Sequence, residues 1–346
     1  MARNPMQLES PVKVTLSFTE SCNLDCRHCY ADCTRTASPR EMTAADWIAL
    51  VDDLFAQGVI ALYIEGGEPL HRPDFLEVLR HCRGKCLVLL RTNGTLVTRE
   101  LARELKSLGV ATVMVDLMGA TAATHDYFTG APGSHARACA AVEALLEAGL
   151  ETQILTILNR RNADEIQDLL ALADGLGVRT VGILRLYPIG RVKRQWSELA
   201  LSLDEMMQAL AVLRPPPGLH VMQSWHPKDA NCCWQMAAVN AYGDSIGCSY
   251  LREFVNYGKV REIGFAATWR DPLYQRLRAG EVETSCTSCS SSQGSHGGCR
   301  STAFAFSRRW EAPDPFDVAL NEGVDLRVLP DWLLSAKPRP PSASGP

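Results

Sequence analysis

Between residues 13 and 186 the chain alternates short apolar runs with longer amphipathic ones six times, with brief turns between them. Strand-like runs fall at 13–18, 60–64, 86–91, 110–117, 151–158 and 178–186. Helical spacing is plain in Trp47, Leu50, Val51 and Leu54 behind a Thr43 cap, and in Ile166, Leu169, Leu170 and Ala173 behind Asn162-x-x-Glu165. Further helices are predicted over 73–82, 98–108, 135–148 and 203–213. Parallel strands need long crossovers, usually helical, so this pattern leaves little besides a parallel sheet with helices packed outside. The expected fold is α/β: a partial, TIM-like (β/α)6 barrel followed by a small cysteine-rich domain.

The 346 residues fit one large and one small domain, and a chain this long buries roughly three quarters of its unfolded surface without disulfides. A net charge of −4 with no Lys/Arg block leaves no footprint for nucleic acid. Neither an apolar run of membrane-spanning length nor a signal-peptide core is present, so no membrane is expected and a cytoplasmic location is. Thiols stay reduced there, and thirteen cysteines are more than packing alone explains. Metal or redox chemistry accounts for them better.

Directly after the first strand run comes Cys22-Asn23-Leu24-Asp25-Cys26-Arg27-His28-Cys29-Tyr30, a C-x3-C-x2-C triplet. Three soft ligands this close suit an iron–sulfur cluster, whereas zinc sites favour separated pairs and closed sets of four. In a four-iron cube three cysteines leave one iron open. The triplet and its trailing aromatic residue resemble the signature of the radical S-adenosylmethionine enzymes. The resemblance implies a [4Fe-4S] cluster whose open iron chelates S-adenosylmethionine. It also implies a 5′-deoxyadenosyl radical that abstracts hydrogen from substrate, and a flavodoxin- or ferredoxin-type reductant as partner.

Other candidates gather at predicted strand ends, where parallel α/β folds keep their sites. In Gly66-Gly67-Glu68-Pro69 two glycines permit close backbone approach to a ligand, and a carboxylate can accept from an ammonium group. The resemblance assigns this segment to the cofactor's methionine amine. Thr92 and Asn93 of Thr92-Asn93-Gly94, with Asn159, are expected to line the same mouth. Asp116 is placed to reach the ribose. Relatives usually read Ser-Leu-Asp-Gly where this chain reads Asp116-Leu117-Met118-Gly119, so a substrate contact is the alternative. Arg191 is a candidate partner for the cofactor carboxylate or a solvated arginine, and Tyr30 is expected near the adenine. Cys33 reads as a bystander, since a fourth cysteine would close the cluster. Cys82, Cys86 and Cys139 read as inert packing thiols.

A second set follows: Cys232-Cys233, Gly243-x4-Cys248, Cys286-x2-Cys289 and Gly297-Gly298-Cys299. It resembles the SPASM or shorter twitch extension, which carries auxiliary iron–sulfur clusters in one branch of that superfamily. The full pattern C-x2-C-x5-C-x3-C is broken here by Ser295, and no later cysteine follows. The expectation is one auxiliary cluster on Cys232 or Cys233 (or both), Cys248 and Cys299. Cys286 and Cys289 are left to lend a ligand, form an incomplete site or stand as relics. A zinc ribbon is the competing reading of this stretch.

The domain division expected is an extension at 1–11, a core at 12–200, a linker helix and strand at 201–229, the auxiliary region at 230–315 and a tail at 316–346. The function expected is oxidoreductase chemistry at a C–H bond of a biosynthetic intermediate: dehydrogenation or epimerisation of an aminocyclitol- or sugar-type molecule. Only about eleven residues precede the first strand, which favours a small substrate over a peptide. The alternative is maturation of a ribosomal peptide by crosslink, thioether or inverted residue, and the second alternative is a non-catalytic iron–sulfur or zinc scaffold. An epimerisation needs a hydrogen-donating thiol, for which Cys33 and Cys248 are the candidates.

Overall fold

The computed structural model describes residues 8–223, 236–279, 298–317, 321 and 323–335. The first half alternates as expected: β1 (Lys13–Ser17), α1 (Ala44–Ala56), β2 (Ala61–Glu65), α2 (Phe75–Cys82), β3 (Leu87–Thr92), α3 (Arg99–Ser107), β4 (Val110–Asp116). Two helices, α4 (Ala122–Thr129) and α5 (Ser134–Glu147), then lead to β5 (Glu151–Ile157), α6 (Ile166–Gly175) and β6 (Thr180–Leu184). Behind them come α7 (Trp196–Leu199), α8 (Leu203–Ala211), β7 (His220–Gln223) and β8 (Met236–Val239). Short helices α9 (Val260–Ile263), α10 (Phe265–Trp269), α11 (Pro272–Ala279), α12 (Arg300–Ser307) and α13 (Asp331–Ser335) complete the described chain.

The eight strands among the described residues are all parallel, in the order β7-β6-β5-β4-β3-β2-β1-β8. The sheet is the partial barrel expected, widened by one strand at each edge. β7 falls in the linker stretch where a strand was expected, whereas β8, four small or flexible residues with no alternation, was not legible as a strand. β8 lies in the stretch assigned above to the auxiliary region and pairs with β1 from Lys13↔Met236 to Leu16↔Val239.

Local chemistry sets the helix starts. Thr43 and Asp46 form a reciprocal capping box on α1, as do Ser202 and Glu205 on α8. Asn162 departs from expectation. Its amide does not cap a helix but bonds the Met118 and Ile157 carbonyls, and its Oδ1 accepts the Asn159 N–H. Local side-chain bonds to these buried backbone groups compete with the cap and replace it.

The two sheet faces differ. Val14, Leu16, Leu62, Ile64, Val88, Leu90, Val113, Val115, Ile154, Val181 and Ile183 share one face and one core with Trp47, Leu50, Val51 and Leu54 of α1. Each such residue, fully buried, contributes about 1.5–3 kcal/mol. The opposite, inner face carries Thr15 and Ser17, Tyr63 and Glu65, Arg91, and Met114 and Asp116. A parallel sheet buried on both sides is ordinarily apolar on both. The polar inner face therefore marks the side where a ligand is handled.

Candidate active site

The loop after β1 carries Cys22, Cys26 and Cys29, all free thiols. Its backbone is fixed at both ends: Cys22 N–H donates to Thr34 O (2.8 Å) and Thr34 N–H to Glu20 O (2.9 Å). Asp25 and Arg27 N–H donate to Thr129 O and Phe128 O at the end of α4, a helix missing from the sequence reading.

Two glycine turns clamp the loop from either side. A Cβ on Gly66, at φ +144°, would stand 2.5 Å from Thr19 O, and one on Gly67 would stand 2.6 Å from the Ser21 carbonyl carbon. Gly67 and Glu68 N–H donate to Thr19 O (2.6 Å) and Ser21 O (2.8 Å). The close approach these glycines permit is thus to the cysteine loop itself. On the other side Gly190, at φ +70°, lies against the Tyr30 and Cys29 carbonyls, and Arg191 N–H donates to Cys29 O at 2.8 Å.

The Arg191 side chain closes this clamp. Its guanidinium donates to Asp32 Oδ1 (3.0 Å), Asp25 Oδ1, Cys26 O (3.2 Å) and Cys33 O (2.6 Å). Four loop acceptors occupy a group read from sequence as either a partner for the cofactor carboxylate or a solvated arginine. Cys33 is buried beside Cys29 and bonds it thiol to thiol, which holds Cys29 below the ordinary thiol range and pushes Cys33 up. Burial pushes Cys22 up to about 12, while Leu24 N–H (3.4 Å) and the Asn93 amide (3.8 Å) donate to its sulfur.

Glu68 is fully buried. Its Oε1 accepts Leu70 N–H (3.1 Å) and the Thr92 hydroxyl (2.9 Å), and its Oε2 accepts Asn93 N–H (2.8 Å). Burial lifts it to about 7, against those three hydrogen bonds. A carboxylate has about four acceptor positions, so one remains for a ligand. Asn93 in turn reaches Asn23 Oδ1 at 2.9 Å, joining the end of β3 to the cysteine loop.

Asp116 accepts Arg91 Nε at 2.9 and 3.2 Å, and Arg91 stands 3.9 Å from Glu65. Burial pushes Asp116 up despite the opposing Arg91 charge. Asn159 turns inward on its own loop, donating to Ile157 O and accepting Arg161 N–H. Tyr30 meets Tyr250 edge-on at 5.3 Å, and Tyr250 stacks on Tyr187 at 3.6 Å. Arg91, Glu65 and Tyr250 were not singled out from sequence. A charge closing an apolar strand, as in Leu89-Leu90-Arg91, was the available signal for the first.

Of the second cysteine set, Cys248 and Cys299 are described and both are buried. Cys248 follows the tight Gly247 turn and precedes Tyr250 by two residues, and Cys299 caps α12 beside Tyr187 and Ile189. Cys232, Cys233, Cys286 and Cys289 lie outside the described residues.

Among the described residues no three His, Cys, Asp or Glu side chains converge as a single-ion site. In a cube each cysteine binds a different iron, which spreads the ligands further apart. Three free thiols on one clamped loop, one already receiving N–H donors at sulfur, fit that group. No helix among the described residues is long and apolar enough to cross a membrane.

Comparison with known proteins agrees with this geometry. Residues 16–173 match the radical SAM superfamily and residues 232–290 the SPASM iron–sulfur cluster-binding domain. The mycofactocin maturase MftC of Mycobacterium ulcerans is 30% identical over 328 residues, covering 89% of this chain and 88% of that protein. An AdoMet-dependent heme synthase of Methanosarcina barkeri is 29% identical, covering 89% of this chain and 96% of that one. Among solved structures, Streptococcus suis SuiB bound to S-adenosylmethionine shares the fold, with a TM-score of 0.69, 17% identity, and coverage of 86% of this chain and 75% of that one. The radical SAM domain implies a [4Fe-4S] cluster with S-adenosylmethionine, and the SPASM domain implies auxiliary iron–sulfur clusters. The chain belongs to the radical S-adenosylmethionine enzymes, in the branch that carries a SPASM domain.

Proposed function

We propose that this enzyme matures a ribosomally made peptide, forming a crosslink, thioether or inverted residue at an unactivated C–H bond. The likeness along nearly the whole of both chains to the mycofactocin maturase, and likewise to a PqqA peptide cyclase of Methylocella silvestris, carries this reading. These likenesses favour a peptide over the aminocyclitol- or sugar-type molecule first expected. A tetrapyrrole substrate stands second, on the likeness to the heme synthase.

When bound, the cluster and S-adenosylmethionine supply a 5′-deoxyadenosyl radical for hydrogen abstraction. Cys22, Cys26 and Cys29 would hold the cluster, and Arg191 serves as a staple of their loop rather than as a cofactor ligand. Glu68 offers its free acceptor position to the cofactor amine, with Gly66, Gly67, Thr92 and Asn93 fixing its orientation. Asp116, held by Arg91, faces the reacting groups from the inner side of the sheet, and Tyr30 walls the mouth. Cys248 and Cys299, with Cys232 or Cys233 (or both), would hold an auxiliary cluster, which would supply an acceptor for the electron that the substrate radical gives up. Cys33, bonded to Cys29, is a bystander in this account. A flavodoxin- or ferredoxin-type protein is the proposed reductant.

Anaerobic reconstitution with dithionite and S-adenosylmethionine tests the chemistry: the parent releases 5′-deoxyadenosine and Cys26→Ala does not. Co-expression with precursor peptides encoded beside the gene tests the substrate: mass spectrometry reads the hydrogen lost in a crosslink or thioether, and chiral amino-acid analysis reads an inverted residue, which leaves the mass unaltered. A peptide unchanged by both measures, together with conversion of a tetrapyrrole carboxylate, would transfer the assignment to the second reading.

A further inference from the structure

Asp314 is almost completely buried, and both of its oxygens are committed. Oδ2 accepts the backbone N–H of Cys299 at 2.8 Å and the guanidinium of Arg185, also at 2.8 Å. Oδ1 accepts the Thr302 hydroxyl at 2.6 Å and Phe316 N–H at 3.1 Å. One carboxylate therefore fixes the residue that caps α12, a hydroxyl in its first turn and the chain returning behind it.

Arg185 is likewise buried, one residue past the end of β6. Its guanidinium lies between the Tyr187 ring (5.1 Å) and the Phe316 ring (5.2 Å). Gly298 shows how closely Asp314 is pressed against the loop, since a Cβ there would stand 2.5 Å from Asp314 Cβ. Burying two charges is costly and favours neither side strongly on balance, so the pair is poor evidence for stability as such. What it supplies is position. It joins a barrel strand end to one cysteine, in a site otherwise built of loops and one short helix.

Continuous contact runs on from there. Tyr187 stacks on Tyr250, Tyr250 meets Tyr30 edge-on, and Tyr30 follows Cys29 in the chain. Ser301, two residues past Cys299, also donates its hydroxyl to Tyr250 O.

We propose that Asp314 and Arg185 are the positioning pair for Cys299, setting it as a ligand of the auxiliary cluster and fixing that site against the radical-generating loop. This rests on the assignment of Cys299 as an auxiliary ligand. The pair holds the Cys299 N–H on a carboxylate, away from sulfur, and keeps the charge beside the site balanced. Hydrogen bonds to cluster sulfurs and net local charge are among the levers that set a cluster's potential.

The test uses the full-length chain, reconstituted anaerobically, with Cys22, Cys26 and Cys29 replaced by Ala so that only auxiliary iron is read. Iron per chain and an EPR-monitored redox titration are the readouts. Asp314→Ala is expected to lose most of that iron. Asp314→Asn keeps an acceptor but unbalances Arg185, so its midpoint is expected to move upward with a changed EPR line shape. Arg185→Met combined with Asp314→Asn restores charge balance and is expected to return the midpoint toward the parent. A parent-like midpoint and line shape in Asp314→Asn would overturn the inference, even if Asp314→Ala fails to fold. Full iron retention in Cys299→Ala would instead overturn the ligand assignment beneath it.

Discussion

Gly190 and Cys29 lie back to back: a Cβ on Gly190 would stand 2.6 Å from the Cys29 carbonyl oxygen, which itself accepts the Arg191 N–H at 2.8 Å. No side chain fits between them. Gly190→Ala is expected to cost about 1–2 kcal/mol through its left-handed backbone alone, and to displace Cys29 as well. Iron analysis should show loss of the N-terminal cluster, about four of about eight iron per chain if two cubes are present. Auxiliary iron should stay. Unchanged iron and unchanged 5′-deoxyadenosine release would remove the clamp from the account.

Arg191 holds two carbonyls and two carboxylates of the cysteine loop. Bonds of this charged kind are each worth about 1.5–3 kcal/mol and are not additive. Arg191→Gln should therefore leave the barrel folded but shorten the life of the N-terminal cluster toward an iron chelator, by about tenfold for each 1.4 kcal/mol lost. If the affinity for S-adenosylmethionine fell with cluster lifetime unchanged, the side chain would be a cofactor ligand after all.

The Arg91–Asp116 pair sits on the inner face with one partner buried and the other a quarter exposed. Asp116→Ala leaves Arg91 with Glu65 at 3.9 Å, a poor substitute. Urea unfolding should report a loss of about 2–3 kcal/mol, somewhat below the range for a fully buried pair. Arg91→Met combined with Asp116→Leu should recover most of that stability while abolishing turnover. Such a split separates packing from function.

His125 is buried, and its Nδ1 accepts Met118 N–H at 3.1 Å. Burial, aided by nearby His135, holds it down at about 4 against an ordinary 6.5. Its folded value is depressed, so the unfolded chain binds the extra proton between those limits. Stability from this group is present above pH 6.5 and is lost as pH falls through about 4. The loss is at most about 3 kcal/mol. His125→Asn keeps an acceptor for Met118 without titrating, and should flatten the urea-measured stability profile between pH 6.5 and 4 by about one proton. A slope identical to the parent's would exclude His125 as its source.

Much of the barrel was legible because its signals are local. Trp47, Leu50, Val51 and Leu54 repeat at helical spacing behind a cap, and all four prove buried. The cysteine triplet is likewise a spacing within nine residues. The elements that were missed depend on distant partners. β8 is a strand only because β1 offers it a free edge, and α4 is short, its cap Thr121 sharing a bonding network with Glu165. The neighbours of the glycines were illegible for the same reason. Gly66 and Gly67 signalled a close approach, but sequence alone does not say that the neighbour is Thr19 and Ser21. Arg191 looked solvated or cofactor-bound because its four acceptors lie about 160 residues upstream.

The pairing of β8 with β1 sets where the chain can be divided. β1 feeds the radical-generating loop, and β8 leads within nine residues to Cys248. A fragment ending at residue 223 would leave β1 as a bare parallel edge, with its backbone donors and acceptors open to any passing strand. Such a fragment should aggregate or pair with itself rather than behave as a minimal enzyme. Exchange of auxiliary regions between relatives meets the same constraint from both sides: β8 must stay with the barrel it completes, while Cys232 and Cys233 just before it belong with Cys248 and Cys299, so no single junction between residues 223 and 248 serves both.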